Sequence, residues 1–142
     1  MKIYQVVLDT NVLVAGTRSK RGASYRLLNL LGDKRWQPNV CTALVTEYES
    51  VLKRQSRQLG LSHEDVDALV DKLCAAATHR PIYFSWRPLL TDSKDAPILD
   101  VAVSGKCDAI ITFNAKHFRR AKDFDIAVMT PQDLLKAIGE IK

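Results

Sequence analysis

The chain has 142 residues and carries 21 lysines and arginines against 16 aspartates and glutamates, a formal charge of +5. With 46% hydrophobic and 26% charged residues it is too apolar for intrinsic disorder, and its three cysteines are too few for a disulfide scaffold. No apolar run approaches the ~18 residues of a membrane span and no secretory leader is visible, so the expectation is one domain, residues 1–142, in a reducing cytoplasm.

Residues 3–8, Ile-Tyr-Gln-Val-Val-Leu, are short, β-branched and nearly all apolar. That composition predicts a strand buried on both faces, ending abruptly at Asp9-Thr10-Asn11. Residues 23–31 carry Leu27, Leu28, Leu30 and Leu31 at helical spacing before Gly32, and residues 36–41 read as a second strand. A long helix is predicted over 42–59. Ser62, with Asp65 three positions on, forms a capping box that opens an acidic amphipathic helix through Val66, Leu69, Val70 and Leu73.

Ile82-Tyr83-Phe84 is strand-like, 96–104 is helical, and 109–112 and 126–129 are short buried strands. Thr130-Pro131-Gln132-Asp133 caps the last helix with proline in its first turn. Strands alternating with helices define an α/β chain, with a five-stranded parallel sheet covered by helices on both faces.

Such sheets place their sites at the carboxyl ends of the strands. Asp9 follows the first strand, Glu47 lies one turn into the helix after the second, Asp95 follows the third and Asn114 the fourth. Each has an ordinary explanation by itself: Asp9 as a turn former, Glu47 as a solvated helix acid, and Asp92, Ser93 or Asp95 as a helix cap. Together they lie on one edge, which one site explains more economically. Oxygen ligands without histidine or cysteine suit Mg²⁺ or Mn²⁺. Such an ion lowers the pKa of bound water and polarises a phosphoryl oxygen. Cys41, Cys74 and Cys107 show no Cys-x-x-Cys spacing and point to no other metal.

The basic excess is local. Arg18, Lys20, Arg21 and Arg26 form one cluster, and Lys116, His117, Arg119, Arg120 and Lys122 another. Either could be a solvated face; beside an acidic site they would offset its repulsion of a phosphodiester. Trp36 and Trp86 flank strands and are expected to pack, and His117 is a loop residue in reach of a phosphate.

The blocks Val6-Val7-Leu8-Asp9-Thr10-Asn11-Val12-Leu13, Thr46-Glu47, Asp92-Ser93-Lys94-Asp95 and Asp108-Ala109-Ile110-Ile111-Thr112-Phe113-Asn114 run in order over nearly the whole chain. In that order they resemble the PIN-domain nucleases, particularly the VapC-like toxin branch. The resemblance implies a three-layer α/β/α fold with strand order 3-2-1-4-5 and a divalent-metal ribonuclease with an antitoxin partner. By the motif, Asp9, Glu47 and Asp95 fall on the family acids, with Asn11, Thr112 and Asp92 in support. Asn114 stands where the family most often has a fourth acid, which puts a second metal in doubt.

On this reading Asp9 and Asp95 hold the cation, Glu47 orients or deprotonates water, and Asn114 positions a water or the leaving group. Arg18, Lys20, Arg21, Lys116 and Arg119 guide the RNA backbone, and the apolar helix faces within 42–77 form a homodimer contact. Two alternatives remain open: a catalytically weakened RNA-binding or partner-binding domain, and an aspartate-based phosphatase, for which Asn11 is a poor second acid.

Overall fold

The computed structural model describes residues 2–90 and 92–142. Five strands, β1 (Tyr4–Leu8), β2 (Trp36–Val40), β3 (Thr78–His79), β4 (Ala109–Ile111) and β5 (Ala127–Met129), form one parallel sheet in the order β3-β2-β1-β4-β5. Val6 pairs with Pro38 on one side and Ala109 on the other, so β1 is central. Val6, Val7, Leu8, Ile110 and Ile111 are at most 1% exposed, as the unbroken apolar strands require: both faces are covered. The covering helices are α1 (Thr10–Arg18), α2 (Ala23–Asn29), α3 (Thr42–Arg54), α4 (Ser56–Leu59), α5 (His63–Ala76), α6 (Ala96–Ser104) and α7 (Pro131–Ala137). α2 packs on α1 and α7, and α3 packs on α5.

Both predicted capping boxes form. Ser62 Oγ accepts from the Asp65 N–H at 3.0 Å while Asp65 accepts from the Ser62 N–H at 2.8 Å. Thr130 and Asp133 repeat the exchange at 3.1 and 3.0 Å. Each satisfies two N–H groups that the first turn leaves without helical partners.

Three elements differ from the sequence reading. The Asp9-Thr10-Asn11 turn opens directly into α1, which the β-branched Val12 and Val14 disguise; their burial at 0% and 9% exposure outweighs their modest helix propensity. The third strand is Thr78–His79, not Ile82-Tyr83-Phe84. The Arg80 N–H still donates to the Val40 carbonyl at 2.8 Å, but Pro81 has no N–H to continue the ladder, and Tyr83 and Phe84 turn outward, 93% and 64% exposed. The helix predicted over 42–59 breaks at Gln55, whose φ of −98° and ψ of 6° separate α3 from α4.

Polar side chains fix the sheet internally. Asn39, fully buried on β2, donates through Nδ2 to Gln5 Oε1 at 3.0 Å and to the Val6 carbonyl at 3.2 Å, and its Oδ1 accepts from Arg80 Nε at 2.8 Å. The Tyr48 hydroxyl on α3 donates to the Leu8 carbonyl at the end of β1. Asp100 on α6 accepts from the Trp86 N–H at 2.6 Å, anchoring the segment before the 3₁₀ turn Ser93–Asp95. Trp36 and Trp86 pack as expected, Trp36 at 1% exposure and Trp86 between Phe84 and Phe124 with ring centroids 4.7 and 4.8 Å away.

Candidate active site

The site begins where β1 ends. The Asp9 N–H donates to the Ile111 carbonyl at 2.8 Å, carrying the β1–β4 ladder one residue further. Asp9 is the N-cap of α1, yet its side chain makes no capping bond. Instead, 8% exposed, it accepts from Thr112 Oγ1 at 2.7 Å. Thr112, 1% exposed beyond β4, accepts in turn from the Asn114 N–H at 2.9 Å. One hydroxyl thus orients the acid of one strand and the loop of its neighbour.

Burial pushes the Asp9 carboxyl above its ordinary value, against the opposing pull of Thr112, the N–H groups of Thr10 and Asn11, and His117. Asp95, in the turn entering α6, is also raised, first by burial and then by the negative charge of Asp9, with His117 opposing. His117 Nδ1 stands 3.2 Å from Asp95 Oδ2, and no other group among the described residues partners this buried oxygen. Asn11 Oδ1 is a buried acceptor without a hydrogen-bond partner among the described residues.

Two neighbouring acids that burial holds back from ionising, one of them further opposed by the charge of the other, with Asn11 Oδ1 unpartnered among the described residues, fit a hard cation. Asp9 and Asp95 would hold it and Asn11 Oδ1 is the neutral donor at hand. Among the described residues no group of three or more His, Cys, Asp or Glu side chains is arranged to hold a metal. The preformed part of the site is therefore a pair of acids.

Glu47 is half-buried on α3 and makes no hydrogen bond or ion pair among the described residues. Its negative charge and that of Asp9 both act on the buried Tyr48 hydroxyl, whose pKa is raised chiefly by burial, so both acids lie within electrostatic reach of that ring. Asn114 is exposed at the N-cap of the helical segment Ala115–Phe124, and its side chain makes no capping bond. Asp92 accepts from the Lys94 N–H at 2.9 Å and shapes the Ser93–Asp95 turn.

The basic residues divide. Lys116, Arg119 and Arg120 line a cavity of about 470 Å³ with His117 and Leu89, adjoining Asp95 through His117. Arg120 is paired with Asp123 at 2.6 Å. Arg18 lines a groove with Thr10, Asn11 and Phe113. Lys20 and Arg21 line a separate depression with Tyr25, Gln132 and Ile141, where Arg26 is bound to Glu140 at 2.7 Å. The His117–Asp95 contact is the feature sequence reasoning missed; its only signal was a histidine in the loop after β4, on the edge that carries the acids.

The structure is a parallel α/β/α sheet with two acids of raised pKa at its carboxyl edge and arginines and lysines beside them. The PIN-domain family model matches residues 5–116. The chain belongs to this family, whose members are nucleases that in general use divalent metal ions. Its fold is similar to that in the crystal structure of VapBC2 from Rickettsia felis bound to a DNA fragment from their promoter. That similarity has a TM-score of 0.60 and 17% sequence identity over 89% of this chain and 98% of the other. None of the curated proteins compared matches the sequence. Among the described residues no helix is long and apolar enough to cross a membrane.

Proposed function

We propose that the protein is a Mg²⁺- or Mn²⁺-dependent endoribonuclease acting as the toxin of a toxin–antitoxin pair in the cytoplasm. The observation that carries the chemistry is the Asp9–Asp95 pair, in which burial raises both carboxyls and the charge of Asp9 raises Asp95 further, while Asn11 Oδ1 has no partner among the described residues. When bound, a divalent ion supplies charge screening and an acidified water. Asp9, oriented by Thr112, and Asp95 hold the ion. Glu47 reaches from α3 to orient the attacking water or take its proton, and Asn114 positions a water or the departing oxygen from the rim. Lys116 and Arg119, which make no ion pair among the described residues, hold phosphates entering past His117.

An antitoxin would cover this basic rim; the likeness to a toxin–antitoxin complex supports such a partner. α3 and α5 bury their apolar faces in the core, Leu44, Leu52, Val66 and Leu73 being at most 1% exposed, so a homodimer would use another surface. One observation favours a second reading, a domain that binds RNA and cuts it poorly: the rim position where the resemblance calls for a fourth acid is held by the neutral amide of Asn114.

The test is cleavage of single-stranded RNA with Mg²⁺, Mn²⁺ or EDTA, by the wild type and Asp9→Asn. Metal-dependent cutting lost in the variant is expected. Full activity in EDTA or in Asp9→Asn defeats the proposal, binding without cutting supports the second reading, and hydrolysis of a small phosphate ester without RNA cleavage points to a phosphatase. In the uncut complex, replacing Lys116 or Arg119 should flatten the log–log salt dependence of binding by about 0.7 per lost contact.

A further inference from the structure

A groove of about 400 Å³ opens next to the chain neighbours of Asp9, lined by Thr10, Asn11, Arg18, Gln55 and Phe113, with Val51 in its wall. Its position follows from the chain: Thr10 and Asn11 are the residues after Asp9, and Phe113 follows Thr112, whose hydroxyl is bound to Asp9. Three features set it apart from a surface crease. Phe113 is a large aromatic left 51% exposed at the end of a core strand. Arg18, in the last turn of α1, makes no ion pair or side-chain hydrogen bond among the described residues, unlike Arg26 and Arg35, which both bind Glu140. Gln55, at the break between α3 and α4, has an amide with no side-chain hydrogen bond among the described residues. An aromatic face, a guanidinium fork and a primary amide around a pocket at the small end of the ligand range form the equipment that reads one unstacked base.

We propose that this groove is a base-reading subsite for the nucleotide next to the scissile phosphate, and that it selects a purine, guanine over adenine. The proposal rests on the ribonuclease reading above and adds the source of its sequence preference. Phe113 stacks on the base, which any base permits. Arg18 presents two parallel donors that match guanine O6 and N7, and Gln55 offers one donor and one acceptor, the pattern that suits adenine. A pyrimidine lacks the second ring that would bring its edge from the Phe113 face to these groups. Val51 and Gln55, four residues apart and joined by the Gln55 N–H to Val51 carbonyl bond at 3.1 Å, present the same helix face to the groove. The division of the first basic cluster gains a reason as well: Arg18 serves the base, and Lys20 and Arg21 face another depression.

The experiment has two arms. In the first, a random single-stranded RNA pool is cut with Mn²⁺ and the ends are sequenced, for wild type, Arg18→Ala, Gln55→Ala, Phe113→Ala and Phe113→Leu. One purine-biased position beside the cut is expected in the wild type. Arg18→Ala should erase the guanine excess, Gln55→Ala should lower adenine, and Phe113→Ala should weaken substrate binding by about 5- to 150-fold, the range of one base–aromatic stack. Phe113→Leu, which keeps apolar bulk without a π face, should recover only part of it. In the second arm, GMP, AMP, CMP and UMP are titrated into Asp9→Asn and followed by NMR at the Phe113 ring and the Gln55 amide. Shifts with GMP, smaller ones with AMP and none with the pyrimidines are expected.

A wild type without base preference, or a preference unchanged in all four variants, overturns the subsite and leaves the ribonuclease reading standing. A wild type that cuts no RNA overturns the ribonuclease reading. The groove is then judged by the nucleotide titration alone, where absence of purine-induced shifts overturns it too.

Discussion

Replacing Thr112 with valine keeps the side chain's shape and removes one oxygen, which makes it the sharpest probe of how the site is held. That oxygen donates to Asp9 at 2.7 Å and accepts from the Asn114 N–H at 2.9 Å, at a residue 1% exposed. A hydrogen bond to a charged group contributes ~1.5–3 kcal/mol and a neutral one ~0.5–1.5 kcal/mol. The buried methyl that takes its place returns about 1 kcal/mol, so the net loss is about 1–3 kcal/mol. For 142 residues the unfolding entropy is roughly 0.3 kcal/mol/K, and Tm should fall by about 3–10 °C. The bond favours ionised Asp9, so the deficit should be full at neutral pH and shrink as pH falls through the raised Asp9 pKa. Loss of an orienting partner should also weaken divalent-ion binding by about 10- to 100-fold. Calorimetric melts between pH 3 and 8 and a Mn²⁺ titration measure both effects. A variant that melts with the wild type at every pH and binds Mn²⁺ equally well would show that the hydroxyl holds nothing together.

Asp9→Asn should abolish cleavage while raising the Tm of the metal-free protein at pH 7. Because the folded Asp9 pKa lies above the unfolded value of 3.8, the native state binds more protons in that window, so stability falls as pH rises through it and stays lowered above; the amide removes that loss. Divalent ion should raise the wild-type Tm and leave the variant unmoved, and an equal response in both would place the ion elsewhere. Asn114→Asp should lower the Mg²⁺ concentration for half-maximal cleavage several-fold, since it adds a carboxylate at the rim; an unchanged titration curve would put this side chain outside the metal's reach. Gly16→Ala should cost about 1–3 kcal/mol in urea unfolding, because its Cβ would stand 2.5 Å from Leu28 Cδ1 and 3.2 Å from the Ser24 carbonyl carbon where α1 crosses α2. Unaltered stability there would mean that the two helices part easily.

What could be read in the sequence follows a physical division. Elements with a local signature were legible: the all-apolar strands around Val7 and Ile110, and the Ser62–Asp65 and Thr130–Asp133 boxes, whose partners are three residues apart. Elements decided by distant partners were not. α1 forms because Val12, Leu13 and Val14 are buried by chain far away in sequence. β3 forms at Thr78–His79 because β2 offers its edge there, although Ile82-Tyr83-Phe84 has the better strand composition. At the site, the order of the acids along the chain was enough to place Asp9 and Asp95 on one edge. The contact of His117 with Asp95 and the separation of Arg18 from Lys20 and Arg21 depend on loop paths that spacing does not encode.

The amide of Asn39 has a consequence at the opposite end of β1. A strand that slips by one residue turns every side chain to the other face. In the native register Asn39 meets Gln5 Oε1, the Val6 carbonyl and Arg80 together; a slipped register would leave a buried amide and a guanidinium unsatisfied, a cost far above that of mismatched methyl groups. Since Asp9 is the residue immediately beyond β1, a slip of β1 against β2 would shift its carboxylate by one residue relative to α3, the helix that β2 leads into. Asn39, on β2 beside Gln5 and Val6 and out of contact with Asp9, therefore guards the register on which the position of that acid depends. A chain lacking this amide would keep the valines and leucines that drive collapse but lose the polar contacts that distinguish the native register from a slipped one.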